Sequence, residues 1–247
     1  MRHLQIPKVS VHTKEGDKMK ITIKRDEELI EYEVENILTL LEALQQIKQT
    51  QDPSLSFNSG CRSSVCGSCA VRVNSKEELA CAYKVQNGDL IEPLNNLPVL
   101  KDLIVDHEVA LQKNRQTKAF LLEYTQQNLN HEDEKRNAIQ SDCILCGSCY
   151  SVCPVLSVNE NFAGPFALTR VWKYVSDKRE NDPKTHIDTI QQNGIWDCTL
   201  CNECTIVCPQ GISPKQDIEK LRAKSSQYGY IDPNFASFGG FDGGLTF

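Results

Sequence analysis

Residues 143–154 read CILCGSCYSVCP and residues 198–209 read CTLCNECTIVCP. Both spell C-x2-C-x2-C-x3-C-P, so the second stretch repeats the first at an offset of 55 residues. Three closely spaced thiols can wrap one face of a polynuclear centre. The fourth, followed by Pro, heads a segment leaving toward the neighbouring centre. The spacing therefore predicts two 4Fe-4S clusters with crossed ligands. Cys143, Cys146, Cys149 and Cys208 would hold one, and Cys153, Cys198, Cys201 and Cys204 the other. Zinc is the competing reading, but three thiols within seven residues, repeated, crowd a tetrahedral ion.

Outward from these runs, only four cysteines remain of the twelve. Three sit in SGCRSSVCGSCA (59–70) as Cys61-x4-Cys66-x2-Cys69, and Cys81 follows after eleven residues. That is the plant-type 2Fe-2S spacing, a tight loop for three thiolates and a more distant residue for the fourth. Ser63, Ser64, Gly67, Ser68 and Ala70 are small enough for the backbone to wrap closely and aim amide N–H groups at sulfur. Paired C-x2-C knuckles, which zinc prefers, are missing here.

Composition agrees with metal use. The chain has 247 residues, 40% hydrophobic and 24% charged, which is ordinary globular usage and excludes disordered and fibrous classes. The net charge of −6 is spread over both halves with no basic stripe, so nucleic acid is not an expected partner. No apolar run approaches the ~20 residues that span a bilayer. MRHLQIPKVS at the start lacks the apolar stretch of a signal peptide, so a reducing compartment is expected, where thiols bind metal rather than pair.

The fold class predicted is α+β in two parts. Over residues 1–104, strands at MKITIKR (19–25) and about 29–34 precede a helix with Asn36 as its N-cap. Ile37, Leu40, Leu41, Leu44 and Ile47 form that helix's apolar stripe, and Asp52-Pro53 ends it. The cysteine loop and strands near 70–74 and 78–83 complete a plant-type ferredoxin β-grasp domain. Over 105–247 helical signals dominate, at 106–127, 166–178 and 186–195, giving a helical two-cluster domain like that of bacterial ferredoxins. The closing FGGFDGGLTF (238–247) reads as a flexible tail rather than a strap on a partner.

No catalytic motif accompanies the cysteines: there is no P-loop, no G-x-G-x-x-G and no H-E-x-x-H. His3, His12, His107, His131 and His186 share no ligand spacing and are expected on the surface or satisfied in the core. Any flavin or nicotinamide pocket would then belong to another chain. Three clusters in so short a chain make a wire for single electrons, and a wire needs partners at both ends.

Five stretches carry a family resemblance: GCRSSVCGSCAVRVN (60–74), LPVLKDLIVDH (97–107), SDCILCGSCYSVCPV (141–155), FAGPFAL (162–168) and CPQGISP (208–214). Together they resemble the iron–sulfur subunit of succinate dehydrogenase/fumarate reductase over nearly the whole chain. The resemblance implies a non-catalytic relay subunit docked on a flavoprotein with covalent FAD. Electrons would pass through the 2Fe-2S cluster of Cys61, Cys66, Cys69 and Cys81, then the cluster of Cys143, Cys146, Cys149 and Cys208, then that of Cys153, Cys198 and Cys204. The last would face a membrane anchor linked to quinone or quinol. That places the chain peripherally on the cytoplasmic face of the cytoplasmic membrane.

Two departures from the family pattern matter. Many members hold a 3Fe-4S cluster last, because another residue replaces the second cysteine of the final run. Here Cys201 fills that position, so a second 4Fe-4S cluster is expected. Quinone-contacting members also place a Trp after the first Cys-Pro and a His after the first cysteine of the last run. This sequence has Val155-Leu156-Ser157 and Thr199 there. It looks more like the subclass with a cysteine-rich, heterodisulfide-reductase-like anchor, which touches quinone only indirectly. The alternative is a relay in another flavin dehydrogenase complex, acting on 2-hydroxyacids or glycerol-3-phosphate, or in a thiol-driven fumarate reductase.

Overall fold

The computed structural model describes residues 18–35 and 37–236. His3, His12, Asn36 and the stretches MRHLQIPKVS and FGGFDGGLTF lie outside the described residues. Strands β1 (Met19–Arg25) and β2 (Glu28–Val34) form an antiparallel hairpin in which Met19 faces Val34 and Arg25 faces Glu28. Alternation in MKITIKR puts Ile21 and Ile23 inward, where both are fully buried. Helix α1 (Leu40–Thr50) begins at a capping box: Thr39 accepts from the Glu42 N–H, and the Glu42 carboxylate accepts from the Thr39 N–H. Ile37 therefore precedes the helix rather than belonging to it. Leu40, Leu41, Leu44 and Ile47 form its buried face.

After the first cysteine loop come β3 (Ala70–Val73), β4 (Lys76–Leu79) and β5 (Leu90–Glu92). The mixed sheet has the order β2-β1-β5-β3-β4, with β1 and β5 parallel at Thr22–Leu90 and Ile23–Ile91. A two-stranded ribbon, β6 (Val99–Lys101) and β7 (Ile104–Val105), closes this part. Arg25 ties the pieces together. Its guanidinium donates to both oxygens of Asp102, at 2.9 and 3.1 Å, and pairs with Asp52. Asp102 is 2% exposed and also accepts the Ser56 N–H at 2.7 Å. One cation thus joins β1, the end of α1 and the ribbon turn.

Helices follow: α2 (Glu108–Gln116), α3 (His131–Lys135), α4 (Ala138–Ser141), α5 (Ser148–Ser151), α6 (Gly164–Val175), α7 (Pro183–Thr189), α8 (Glu203–Ile206), α9 (Pro214–Gln227) and α10 (Pro233–Ala236). Several differ from the sequence reading. The expected helix over 106–127 stops at Gln116, because Thr117 turns back onto the Lys113 carbonyl and Lys118 takes φ 50°. The region 186–195 is helical only to Thr189, and the strand expected at 78–83 lies at 76–79. α9, the longest helix described, escaped the reading because its buried face mixes Ile218 and Leu221 with Asp217 and Ser225. α6 packs against α2, α7 and α9.

A polar seam joins the sheet part to the helical part. The Asn96 amide donates to the Tyr150, Ser151 and Cys153 carbonyls at 3.1, 2.9 and 3.1 Å, capping the end of α5. Ser151 Oγ donates to Glu77 at 2.8 Å and accepts the Asn95 N–H at 2.8 Å; both Ser151 and Glu77 are buried.

Arg25→Ala would strand Asp102 as an unpaired buried charge, so a loss of about 3–5 kcal/mol in denaturant unfolding is expected. Asp217 is 1% exposed, and burial pushes its carboxyl up to about 6, against Gln140 and Lys220. The folded value lies above the unfolded one, so its contribution to stability is full below about pH 4 and is lost as pH rises through 6. Asp217→Asn should flatten that slope, which amounts to about 3 kcal/mol between the two limits.

Candidate metal centres

The first cysteine loop wraps by taking left-handed backbone at Arg62, Ser64 and Gly67 (φ 60°, 61° and 71°). This turns amides toward sulfur. Cys61 Sγ accepts from the Ser63, Val65 and Cys66 N–H groups at 3.4, 3.3 and 3.3 Å. The Ser64 N–H donates to Cys81 Sγ at 3.3 Å, and the Cys61 N–H to Cys66 Sγ at 3.4 Å. Led by the Ser63 N–H, these donors hold the Cys61 thiol down at about 6. Cys69, 5% exposed, is instead pushed up to about 11 by burial. The loop thus carries one thiolate ready at neutral pH and one that ionises only when a metal supplies the compensating charge.

The two repeats share one backbone. Leu145 and Leu200 both have φ 56°, followed by Gly147 at 83° and Asn202 at 75°, which head α5 and α8. Gly and Asn are the residues that accept this conformation; Leu is not. The strained leucines turn their N–H groups to the first thiol of each run, as Leu200 does to Cys198 Sγ at 3.4 Å. Burial raises both Cys143 and Cys198, against which act the Leu145 and Leu200 N–H groups and then the charges of Arg170 and Arg222. Arg222 also clamps the last run, donating to the Ile195 carbonyl at 2.9 Å and the Cys198 carbonyl at 2.7 Å.

Chain positions far apart converge on two cavities. Cys143, Cys146, Cys149 and Cys208 line one, with Phe166 and Ile212 in its wall. Cys153, Cys198, Cys201 and Cys204 line the other, with Phe162 and Ile218 in its wall. Among the described residues, no group of three or more His, Cys, Asp or Glu side chains is arranged to hold a metal ion. The four thiols of each quartet line one cavity, a four-sulfur donor set that suits an iron–sulfur cluster. Burial drives Cys204 up to about 12 and also raises Cys149 well above the ordinary thiol range. Sulfurs in such a place ionise when a bound metal supplies the compensating positive charge.

Exposure differs along the series. Cys61, Cys66 and Cys201 are exposed, whereas every member of the Cys143 quartet is partly buried. Among the histidines, His107 packs against Gly147 beside Tyr150 and Phe166, and burial lowers it. His186 is fully buried, bonded to Glu180 at 2.9 Å. His131 lies on the surface, in an exposed contact with Glu134. Leu156 is buried and Thr199 is exposed on the rim of the last cavity. The spacing did not reveal Arg222, Asn96 or the Glu77–Ser151 pair; Ser213-Pro214, an N-cap and first-turn pair, was the one local signal for the helix that carries Arg222.

Two family models match the chain: a 2Fe-2S iron-sulfur cluster binding domain over residues 12–112 and a 4Fe-4S dicluster domain over 139–212. The 8-methylmenaquinol:fumarate reductase iron-sulfur subunit of Wolinella succinogenes is 40% identical over 207 residues, 77% of this chain and 65% of that protein. The fumarate reductase iron-sulfur subunit of Haemophilus influenzae is 31% identical over 228 residues, 83% of this chain and 89% of that one. Other curated relatives are longer, and the chain spans 45% and 39% of two of them. A chain in the structure of the Mycobacterium smegmatis Sdh1 complex in the apo form superposes with a TM-score of 0.78 at 24% identity, covering 88% of this chain and 99% of that one, which shows a common fold.

Replacing one thiol tests the last cavity. Cys201→Ser should lower bound iron by about one atom per chain and bring up the low-temperature EPR signal of an oxidised 3Fe-4S centre. Unchanged iron and an unchanged spectrum would remove Cys201 from the ligand set.

Proposed function

The chain belongs to the family of fumarate reductase/succinate dehydrogenase iron–sulfur subunits, and from that premise we propose that it relays single electrons between a flavoprotein and a membrane-linked acceptor. Cys61, Cys66, Cys69 and Cys81 would hold a 2Fe-2S cluster; the Cys143 and Cys153 quartets would each hold a 4Fe-4S cluster. Bound there, these groups supply one-electron reduction and oxidation without bond making. The chain's own residues set the surroundings. The Ser63, Ser64 and Val65 amides stabilise sulfur charge, Arg222 holds the last run, and Phe162, Phe166, Ile212 and Ile218 keep water from the two cavities.

The observation carrying the proposal is the pattern of exposure. The first and last quartets each present thiols at the surface, and the middle one presents none that is fully exposed. A relay needs that arrangement: accessible terminals and an insulated interior. The exposed face of Cys61, Val65 and Cys66 is where an FAD-bearing flavoprotein would dock. The face of Cys201 and Thr199 would meet the anchor subunit, with quinone or quinol reached through it. Thr199 and Leu156 lack the hydrogen-bonding rings that orient a quinone head group, which favours indirect contact. No helix among the described residues is long and apolar enough to cross a membrane, so attachment to the cytoplasmic face of the cytoplasmic membrane would depend on the anchor.

Anaerobic affinity purification of the tagged chain from its own cells checks the reading. About ten iron atoms per chain are expected, together with a flavoprotein and fumarate- or succinate-dependent redox changes of the clusters. A colourless, sulfide-free chain that purifies alone and folded would sink it, and turnover confined to thiol donors would reassign it to the alternative relay.

A further inference from the structure

Gly67 stands between Cys66 and Cys69, and what it faces belongs to the other half of the molecule. A Cβ built on it would lie 2.7 Å from Cys146 Cβ, 3.0 Å from Cys146 Cα and 3.0 Å from the Ile144 carbonyl oxygen. Non-bonded carbons rest at about 3.5–4.0 Å. The obstructing atoms are backbone and the root of a side chain, with no flexible tip to swing aside. Smallness at Ser63 or Ser68 lets the loop wrap around its own sulfurs. At Gly67 it lets two loops from different parts of the chain touch backbone to backbone.

A second contact flanks the first. Gln210 Nε2, two residues beyond Cys208, donates to the Ser64 carbonyl at 3.4 Å, and the Ser64 N–H in turn donates to Cys81 Sγ. The first loop therefore touches the Cys143 quartet on two sides, at Cys146 and beyond Cys208. The seam holds this contact closed: Asn96 on three carbonyls around α5, and Ser151 on Glu77.

We propose that Gly67 is a positioning residue for transfer between the first two centres: its missing side chain sets the gap between the Cys61 and Cys143 quartets at backbone contact. This rests on the relay reading above. Tunnelling rates fall exponentially with added distance, so a gap widened by one methyl group acts on the rate directly. The step itself oxidises the donor centre and reduces the acceptor centre by one electron, with no bond broken and no proton moved.

The test uses the full chain purified anaerobically with its clusters, comparing wild type with Gly67→Ala and Gly88→Ala. Gly88 has φ 87° with nothing within 4 Å of a built Cβ, so its variant carries the same backbone strain without the clash. Iron and acid-labile sulfide are measured first, then the spin–spin splitting between the two reduced centres by EPR, then the rate at which the second fills after the first is reduced. Gly67→Ala with full iron should show weakened splitting and several-fold slower filling, and Gly88→Ala should match wild type. Full iron with unchanged splitting and rate in Gly67→Ala overturns the role of Gly67 while leaving the relay intact. If Gly67→Ala loses iron from its own loop, Asn96→Gly decides. It leaves both loops unaltered, and glycine accepts the φ of 59° found at Asn96. Weakened splitting is again expected, and a wild-type value overturns the proposal. Wild-type chain without acid-labile sulfide would remove the relay and this role together.

Discussion

The governing constraint is that a short helical region must line two separate cavities with four sulfurs each. A run of three cysteines in seven residues can cover only one side of a cavity, so each repeat borrows its fourth thiol from the other: Cys208 reaches the Cys143 site and Cys153 reaches the Cys198 site. That exchange forces α5 against α8 and makes neither repeat complete alone. The remaining helices read as consequences. α6 and α9 supply the apolar lids Phe166 and Ile218, and α2 braces α6 from outside. Strain follows as well, since Leu145 and Leu200 keep left-handed backbone because only that turns their amides inward.

Much of this was legible because it is local. Cysteine spacing within each run is a property of a few consecutive residues, and the residues that accept left-handed turns, Gly147 and Asn202, stand in the repeats themselves. The β1–β2 hairpin showed through the alternation that buries Ile21 and Ile23. The α1 stripe was visible too, although the Thr39–Glu42 capping box begins the helix later than the apolar pattern suggested. α9 stayed hidden because Asp217 and Ser225 interrupt its apolar face with polar groups whose partners, Gln140 and Gln191, come from other elements.

The seam was not legible, for a different reason. Asn96, Glu77 and Gly67 act on partners 54 to 79 residues away. An amide that caps three carbonyls looks, in sequence, like any Asn in a turn. In sequence Gly67 is one of several small residues that let the loop wrap, whereas the structure makes it a point of contact. Long-range packing gives such residues their meaning, and no local period records it.

The uneven exposure of the thiols has a chemical price. A sulfur-bound iron at the surface is where dioxygen and peroxide arrive first, and Cys61, Cys66 and Cys201 lie at the two ends of the series. With clusters held as proposed, air should corrode the chain from its extremities inward, iron leaving the outer centres first and the middle one, with Phe166 and Ile212 in its wall, left with nothing to exchange electrons with.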